Sequence, residues 1–198
     1  MQSIYFVDSN FTYESSKKSI LSIRYATDGF SFCVHDETGK LVVFVHEPYA
    51  ADSREAAVAR LKNYVVNDAI LNLRFKKVYI MPCFKEKLLV PGAFFDKANI
   101  TTLYTVNQEV SPDDTILYHH IEGIEAFHDF VREHFPVFQI VNGAYPFILG
   151  AMGKALRDTE QIFLDIQDNY FDLLFIRDSG IQLFNTFSYK ATTDIVYF

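Results

Sequence analysis

The side chains that could do chemistry in this 198-residue chain are turn carboxylates, four histidines close in sequence, and two cysteines. The stretch IFLDIQDNYFDLLFI, residues 162–176, sets Asp165 and Asp168 around Gln167 between two apolar runs. From the residues alone, Asp165 reads as a strand-end carboxylate that accepts backbone hydrogens in the following turn. His119, His120, His128 and His134 lie near Glu125, Asp129 and Glu133, yet none of the strong zinc spacings is present. On a strand, His119 and His120 would face opposite sides, so surface histidines and no metal are expected. Cys33 and Cys83 have no CxxC partner and sit in apolar runs, which predicts two buried thiols rather than a disulfide framework. No GxSxG, Walker loop or GxGxxG occurs. The GAMGK run at 150–154 is too short for a phosphate loop, and its glycines are expected to let a helix pack closely. No serine or cysteine has a nearby histidine–acid set, so no catalytic residue is assigned.

The elements that would carry these groups follow from composition and periodicity. The chain is 49% hydrophobic and 16% aromatic, with 20 Phe, 12 Tyr and no Trp. That is globular composition, with enough length for a sizeable core in one domain or two small ones. Aromatics this frequent imply a bulky core and an apolar contact face. The net charge of −7 repels phosphate backbones, and the Arg74, Lys76, Lys77, Lys85, Lys87 cluster is short, so nucleic acid is not expected as a partner. The N-terminus has neither a basic start nor a long apolar run, and no run approaches 18 apolar residues. A cytoplasmic protein without a membrane span is expected.

Residues 1–18 read as one short strand and a loop. SILSIRYA, FSFCVHD and LVVFVHE then alternate as strands, joined by tight turns at Asp28-Gly29 and Glu37–Lys40. Apolar spacing predicts a helix over 53–71, capped by Asp52 or Ser53, and then a strand at 76–83. The middle is less regular: Pro91-Gly92 marks a turn, and ITTLYTVN and TILYHHIE read as strands. A helix over 124–135, the strand FQIVNG and a helix over 146–156 follow. A second strand meander over 162–187 has turns at Gln167–Asn169 and Asp178–Gly180, and a helix begins at Thr192.

Three segments, SIRYATDGFSFCV, KKVYIMPCFKEKLLVPGAFFD and NYFDLLFIRDSGIQLFNTFSYK, resemble an uncharacterised bacterial domain-of-unknown-function family with an actin-like fold. More distantly, FLDIQDNYFDLLFIRDSGIQLFNTF is similar to the second phosphate segment of actin-like ATPases of the pilus-assembly and division branch. There an apolar strand ends in Asp-Ile-Gly, and an Asp-Leu strand and an Asp-Gly turn follow. Asp165-Ile166, Asp172-Leu173 and Arg177-Asp178 fit that shape, and FQIVNGAYPFILGAMGKAL resembles the strand and helix that close the first copy. The resemblance implies an α/β protein with the actin-like ATPase, ribonuclease-H-like fold, built of tandem β-β-β-α-β-α-β-α copies. The first copy would span 1–157 with an irregular insertion around 84–120. The second would begin at 158 and be incomplete by 198, so the natural product is expected to continue past Phe198.

In active members of that fold, as the resemblance implies, two glycine-containing turns let backbone N–H groups grip phosphates, and an Asp on each first strand holds Mg²⁺. Here Arg24 and Ala26 stand at the first Asp and Gly positions. The second copy keeps Asp165 but has Gln167 at the glycine position, where a side chain blocks close approach. Asp165, Gln167 and Asp168 thus read as a vestigial phosphate turn, with no cofactor expected. A ribonuclease-H-like nuclease is disfavoured, because Arg24 replaces an acid that two-metal chemistry needs. The leading reading is a noncatalytic binding or scaffold protein whose ligand is a protein partner or a second copy of itself. The alternative is an ATP-dependent switch with Mg²⁺ on Asp165 and an adenine site beyond Phe198; a third is a structural lobe. Fold resemblance alone does not choose among them.

Overall fold

The alternating segments near the N-terminus form the centre of a six-stranded sheet. In the computed structural model, which describes residues 2–85, 87–91, 115–118 and 124–197, strands β2 (Ile20–Ala26), β3 (Gly29–His35) and β4 (Leu41–Pro48) make an antiparallel meander. β1 (Ile4–Val7) lies along the outer edge of β4, and β5 (Lys77–Pro82) and β8 (Phe138–Ile140) extend the other side in parallel, giving the order β1-β4-β3-β2-β5-β8. The three-strand antiparallel meander is the start of the first copy that the resemblance implied. β1 is the short strand expected within residues 1–18, and its pairing with β4 is the unforeseen part.

One face of this sheet buries Leu21, Ile23, Tyr25, Phe30, Phe32, Val34, Val43 and Val45. Helix α2 (Arg54–Asn67) lays Ala57, Leu61 and Val65 into that core, and α3 (Ile124–His134) contributes Val131. Removing each large side chain from water contributes about 1.5–3 kcal/mol, which is why the aromatic-rich strands and the helical stripe find each other. Ser53 caps α2, its hydroxyl accepting from the Ala56 N–H at 3.2 Å. The helix ends at Asn67, earlier than the apolar spacing predicted. Asp68 turns the chain by accepting from the Ile70 and Leu71 N–H groups, and the Asn72 amide donates to the Val65 and Asp68 carbonyls. Short polar side chains that compete for backbone groups outweigh the apolar period there. The four-residue α1 (Tyr13–Ser16) replaces part of the expected N-terminal loop.

The chain divides into two compact units that interleave in sequence: residues 1–84 with 121–143, and residues 85–120 with 144–198. Within the second, β9 (Glu160–Ile166), β10 (Tyr170–Arg177) and β11 (Gly180–Ser188) form the predicted antiparallel meander, and β6 (Leu88–Pro91) pairs with β7 (Thr115–Tyr118). Helix α4 (Tyr145–Lys154), with Pro146 in its first turn, buries Ile148 and Ala151 in a core with Leu89, Leu174, Ile176, Ile181 and Phe184. A 3-10 helix covers Thr192–Tyr197. The glycines of α4 do not serve close packing: an added Cβ at Gly150 or Gly153 meets open space. The expected strand at 100–107 lies outside the described residues.

Candidate functional site

The two turns singled out from sequence are best built strand by strand. In the first unit, β2 ends at Ala26, which pairs with Gly29 across a two-residue loop of Thr27 and Asp28. Gly29 has φ +151°, and a Cβ there would sit 2.8 Å from the Glu47 carbonyl oxygen, so glycine is required where β3 passes β4. The loop's carbonyls are used internally: Ala51 N–H donates to Thr27 at 2.8 Å and Tyr49 N–H to Asp28 at 3.1 Å. Arg24, at the position where the resemblance places a metal-holding Asp, lies 3.9 Å from the Asp28 carboxylate, and both side chains are about three-quarters covered. This is a loose, partly screened ion pair, worth little by itself.

In the second unit, Asp165 is the next-to-last residue of β9, and Gln167, Asp168 and Asn169 form the turn to β10. The turn closes by Gln167 N–H donating to the Tyr170 carbonyl at 2.9 Å and Tyr189 N–H to the Asn169 carbonyl at 3.1 Å. The Tyr189 hydroxyl donates to the Gln167 carbonyl. The Gln167 side-chain amide donates to Asp165 Oδ1 at 2.9 Å. None of the three turn residues has positive φ, so the backbone here makes no demand for glycine. Asp168 is exposed. The structure therefore brings Asp165 and Gln167 together and leaves Asp168 in solvent.

A buried polar centre lies one strand further in. Asp172 of β10 stands directly across the ladder from Asp165 and, on its other side, from Thr186 of β11, so the three share one face of the sheet. Asp172 is 2% exposed. Its Oδ1 accepts from the Thr186 hydroxyl at 2.7 Å, and its Oδ2 lies 2.7 Å from the Lys87 ammonium, whose side chain is also buried. Burial pushes the Asp172 carboxyl above its ordinary range. Lys87 and Thr186 pull it back, and the Asp165 charge opposes them. Desolvating an unpaired carboxylate costs several kcal/mol, so the pair and hydroxyl are what permit this residue inside a strand of apolar neighbours.

Sequence reading used Asp172 only as part of a motif, placed Lys87 only in a basic cluster, and missed Thr186. The one available signal was the carboxylate at the middle of YFDLLFI, a run that otherwise buries. At the far end of β10, Asp178 (φ +51°) and Ser179 (φ +64°) form a two-residue turn with positive φ at both positions, leading into Gly180.

The other candidates disperse. His119 and His120, with the side chains of Glu125 and His128, lie outside the described residues. His134 stacks on Phe130 at 4.7 Å between ring centroids. Among the described residues, no group of three or more His, Cys, Asp or Glu could hold a metal ion. Neither cysteine is in a disulfide, both are half-buried rather than fully buried, and burial raises the Cys33 thiol. No helix among the described residues is long and apolar enough to cross a membrane.

No curated protein matches the sequence. Among solved structures, the chain is similar to a Bacteroides thetaiotaomicron protein with an actin-like ATPase fold and unknown function, at 21% identity and a TM-score of 0.78, covering 94% of this chain and 76% of that one. It is also similar to the ethanolamine utilization protein EutJ from Carboxydothermus hydrogenoformans, at 10% identity and a TM-score of 0.50, covering 94% of this chain and 56% of that one. Likenesses at such identities establish the fold, which is the actin-like ATPase fold that the resemblance implied. The family described as a protein of unknown function, DUF3822, matches residues 8–198, and the chain belongs to it.

Proposed function

We propose that this chain is a noncatalytic binding or scaffold protein on an actin-like ATPase fold, acting in the cytoplasm through a protein partner or a second copy of itself. The observation that carries the reading is the hydrogen bond from Gln167 to Asp165: the residue at the glycine position caps the carboxylate that would hold a metal. The pairing of Arg24 with Asp28 supports the same loss of phosphate chemistry at the first turn. In this reading the first repeat covers residues 1–157 with its insertion at 84–120, and the second begins at 158. Asp165, Gln167 and Asp168 are the remains of a phosphate turn.

Titration calorimetry of the protein with ATP and Mg²⁺ tests the reading. No heat is expected at millimolar ATP. Micromolar binding that disappears in Asp165→Ala would instead establish an ATP-dependent switch, the second reading, which the retained Asp165 keeps open.

An apolar strip supports the choice of a protein ligand. Ile162, Leu164 and Ile166 of β9 and Leu183 of β11 are exposed on the same sheet face. Exposed apolar side chains grouped in this way mark interaction surfaces more often than solitary ones do.

A further inference from the structure

We propose that Lys87 is the built-in cation of the Asp165–Asp172 carboxylate pair, a tethered plug that keeps divalent metal ions off this face of the second-unit sheet. The inference deepens the proposed function and rests on it, because it supplies a physical reason for a turn that carries carboxylates but takes no metal-bound phosphate.

The geometry begins with the ladder. Asp165 and Asp172 are direct partners on neighbouring antiparallel strands, so both side chains leave the same face. Like charges placed directly opposite repel, and the repulsion grows as water is excluded. Asp172 has almost no contact with solvent. Two carboxylates so placed call for a cation. Gln167 gives Asp165 a hydrogen bond but no positive charge. Lys87 supplies the charge: its ammonium lies 2.7 Å from Asp172 Oδ2, and its side chain is 4% exposed. The same ammonium sits 4.9 Å from the centre of the Tyr170 ring, a second favourable contact for a cation. Thr186 takes the remaining Asp172 oxygen. A hydrated divalent ion would have to displace an ammonium that is covalently tethered and already desolvated.

Removing the ammonium while keeping the carboxylates should open the position to a metal ion. The test uses the full chain, with Mn²⁺ as the probe, read by electron paramagnetic resonance and by thermal unfolding. Wild type is expected not to bind Mn²⁺ at millimolar concentration. Lys87→Ala is expected to bind at least about tenfold more tightly than wild type. It should also gain roughly 4 °C or more in Tm with millimolar Mn²⁺, because a ligand that binds only the folded state stabilises it. The double variant Lys87→Ala/Asp172→Asn should show neither effect.

Lys87→Ala leaves a buried carboxylate without its partner and will be less stable, so recovery by metal is itself a readout. If the variant neither binds Mn²⁺ nor regains stability with it, the proposal is overturned. Equal Mn²⁺ binding by wild type, or by the double variant, overturns it as well. Heat from ATP and Mg²⁺ with wild type would sink the noncatalytic reading, whereas a metal-blind Lys87→Ala sinks the plug alone.

Discussion

At the scale of single residues, Asp172 makes a large energetic commitment, being a buried carboxylate paired with the buried Lys87 side chain. Two desolvated charges are tolerable only together, so breaking the pair should cost much more than removing both members. Lys87→Met or Asp172→Leu alone should each lower stability by about 3–5 kcal/mol, whereas Lys87→Met/Asp172→Leu should cost far less than their sum. Urea unfolding of the four proteins checks this, and additive losses would contradict it. Gln167→Gly is a milder change. It removes the hydrogen bond to Asp165 and restores backbone freedom, yet ATP calorimetry of this variant should remain silent while Lys87 holds its place. The turn residues Asp165, Gln167 and Asp168 were visible in the sequence as a local pattern. Lys87 and Thr186 were not, because a salt bridge between segments far apart in the chain leaves no trace in spacing.

At the scale of elements, the meanders were legible because alternation and turn residues are local properties. The turn of Asp178 and Ser179 is a case with a measurable penalty. Left-handed backbone costs an L residue roughly 1–2 kcal/mol, less for Asp. Ser179→Gly should therefore raise stability by about 0.5–1 kcal/mol in chemical denaturation. Helix α4 makes the opposite use of glycine. Gly150 has open space where a Cβ would stand, so Gly150→Ala should stabilise the protein by about 0.5–1 kcal/mol. The same change at Gly29 should destabilise it, since a Cβ there meets the Glu47 carbonyl at positive φ. Periodicity overran the end of α2 because the stop comes from side-chain hydrogen bonds of Asp68 and Asn72, which an apolar count does not register. Similarly, it offered no reason for β1 to join β4, a pairing made across a long separation in sequence.

For the whole molecule, pH and self-association are the accessible tests. Asp8 is held below its ordinary range chiefly by the hydrogen bond from Lys40, and Asp36 chiefly by that from the Thr38 hydroxyl. A lowered carboxyl adds stability that is present above the model-peptide value of 3.8 and is lost as pH falls through the lower folded value. Asp172 acts with the opposite sign. Its raised carboxyl favours folding below 3.8 and gives that contribution up as pH rises through the raised value. Thermal unfolding followed down to pH 2 should thus show an acid loss that Asp8→Asn and Asp36→Asn each reduce. A second molecular-scale expectation follows from the apolar strip on β9. Sedimentation velocity should show concentration-dependent association, or partner-dependent association, that Ile162→Ser/Ile166→Ser abolishes. A strictly monomeric wild type with no partner would speak against the scaffold reading.

The interleaving of the two units sets an order on synthesis. The second unit takes β6 and β7 from residues 85–120 and the meander from residues 144–198. β6 and β7 therefore leave the ribosome before any strand of that meander exists. At about 5–20 residues per second, they wait several seconds for the rest of their unit. Lys87 is without its buried counter-ion through that interval, because Asp172 has not yet been made. The joining of the second unit is thus a late event, made by a segment that has been waiting for its counter-ion.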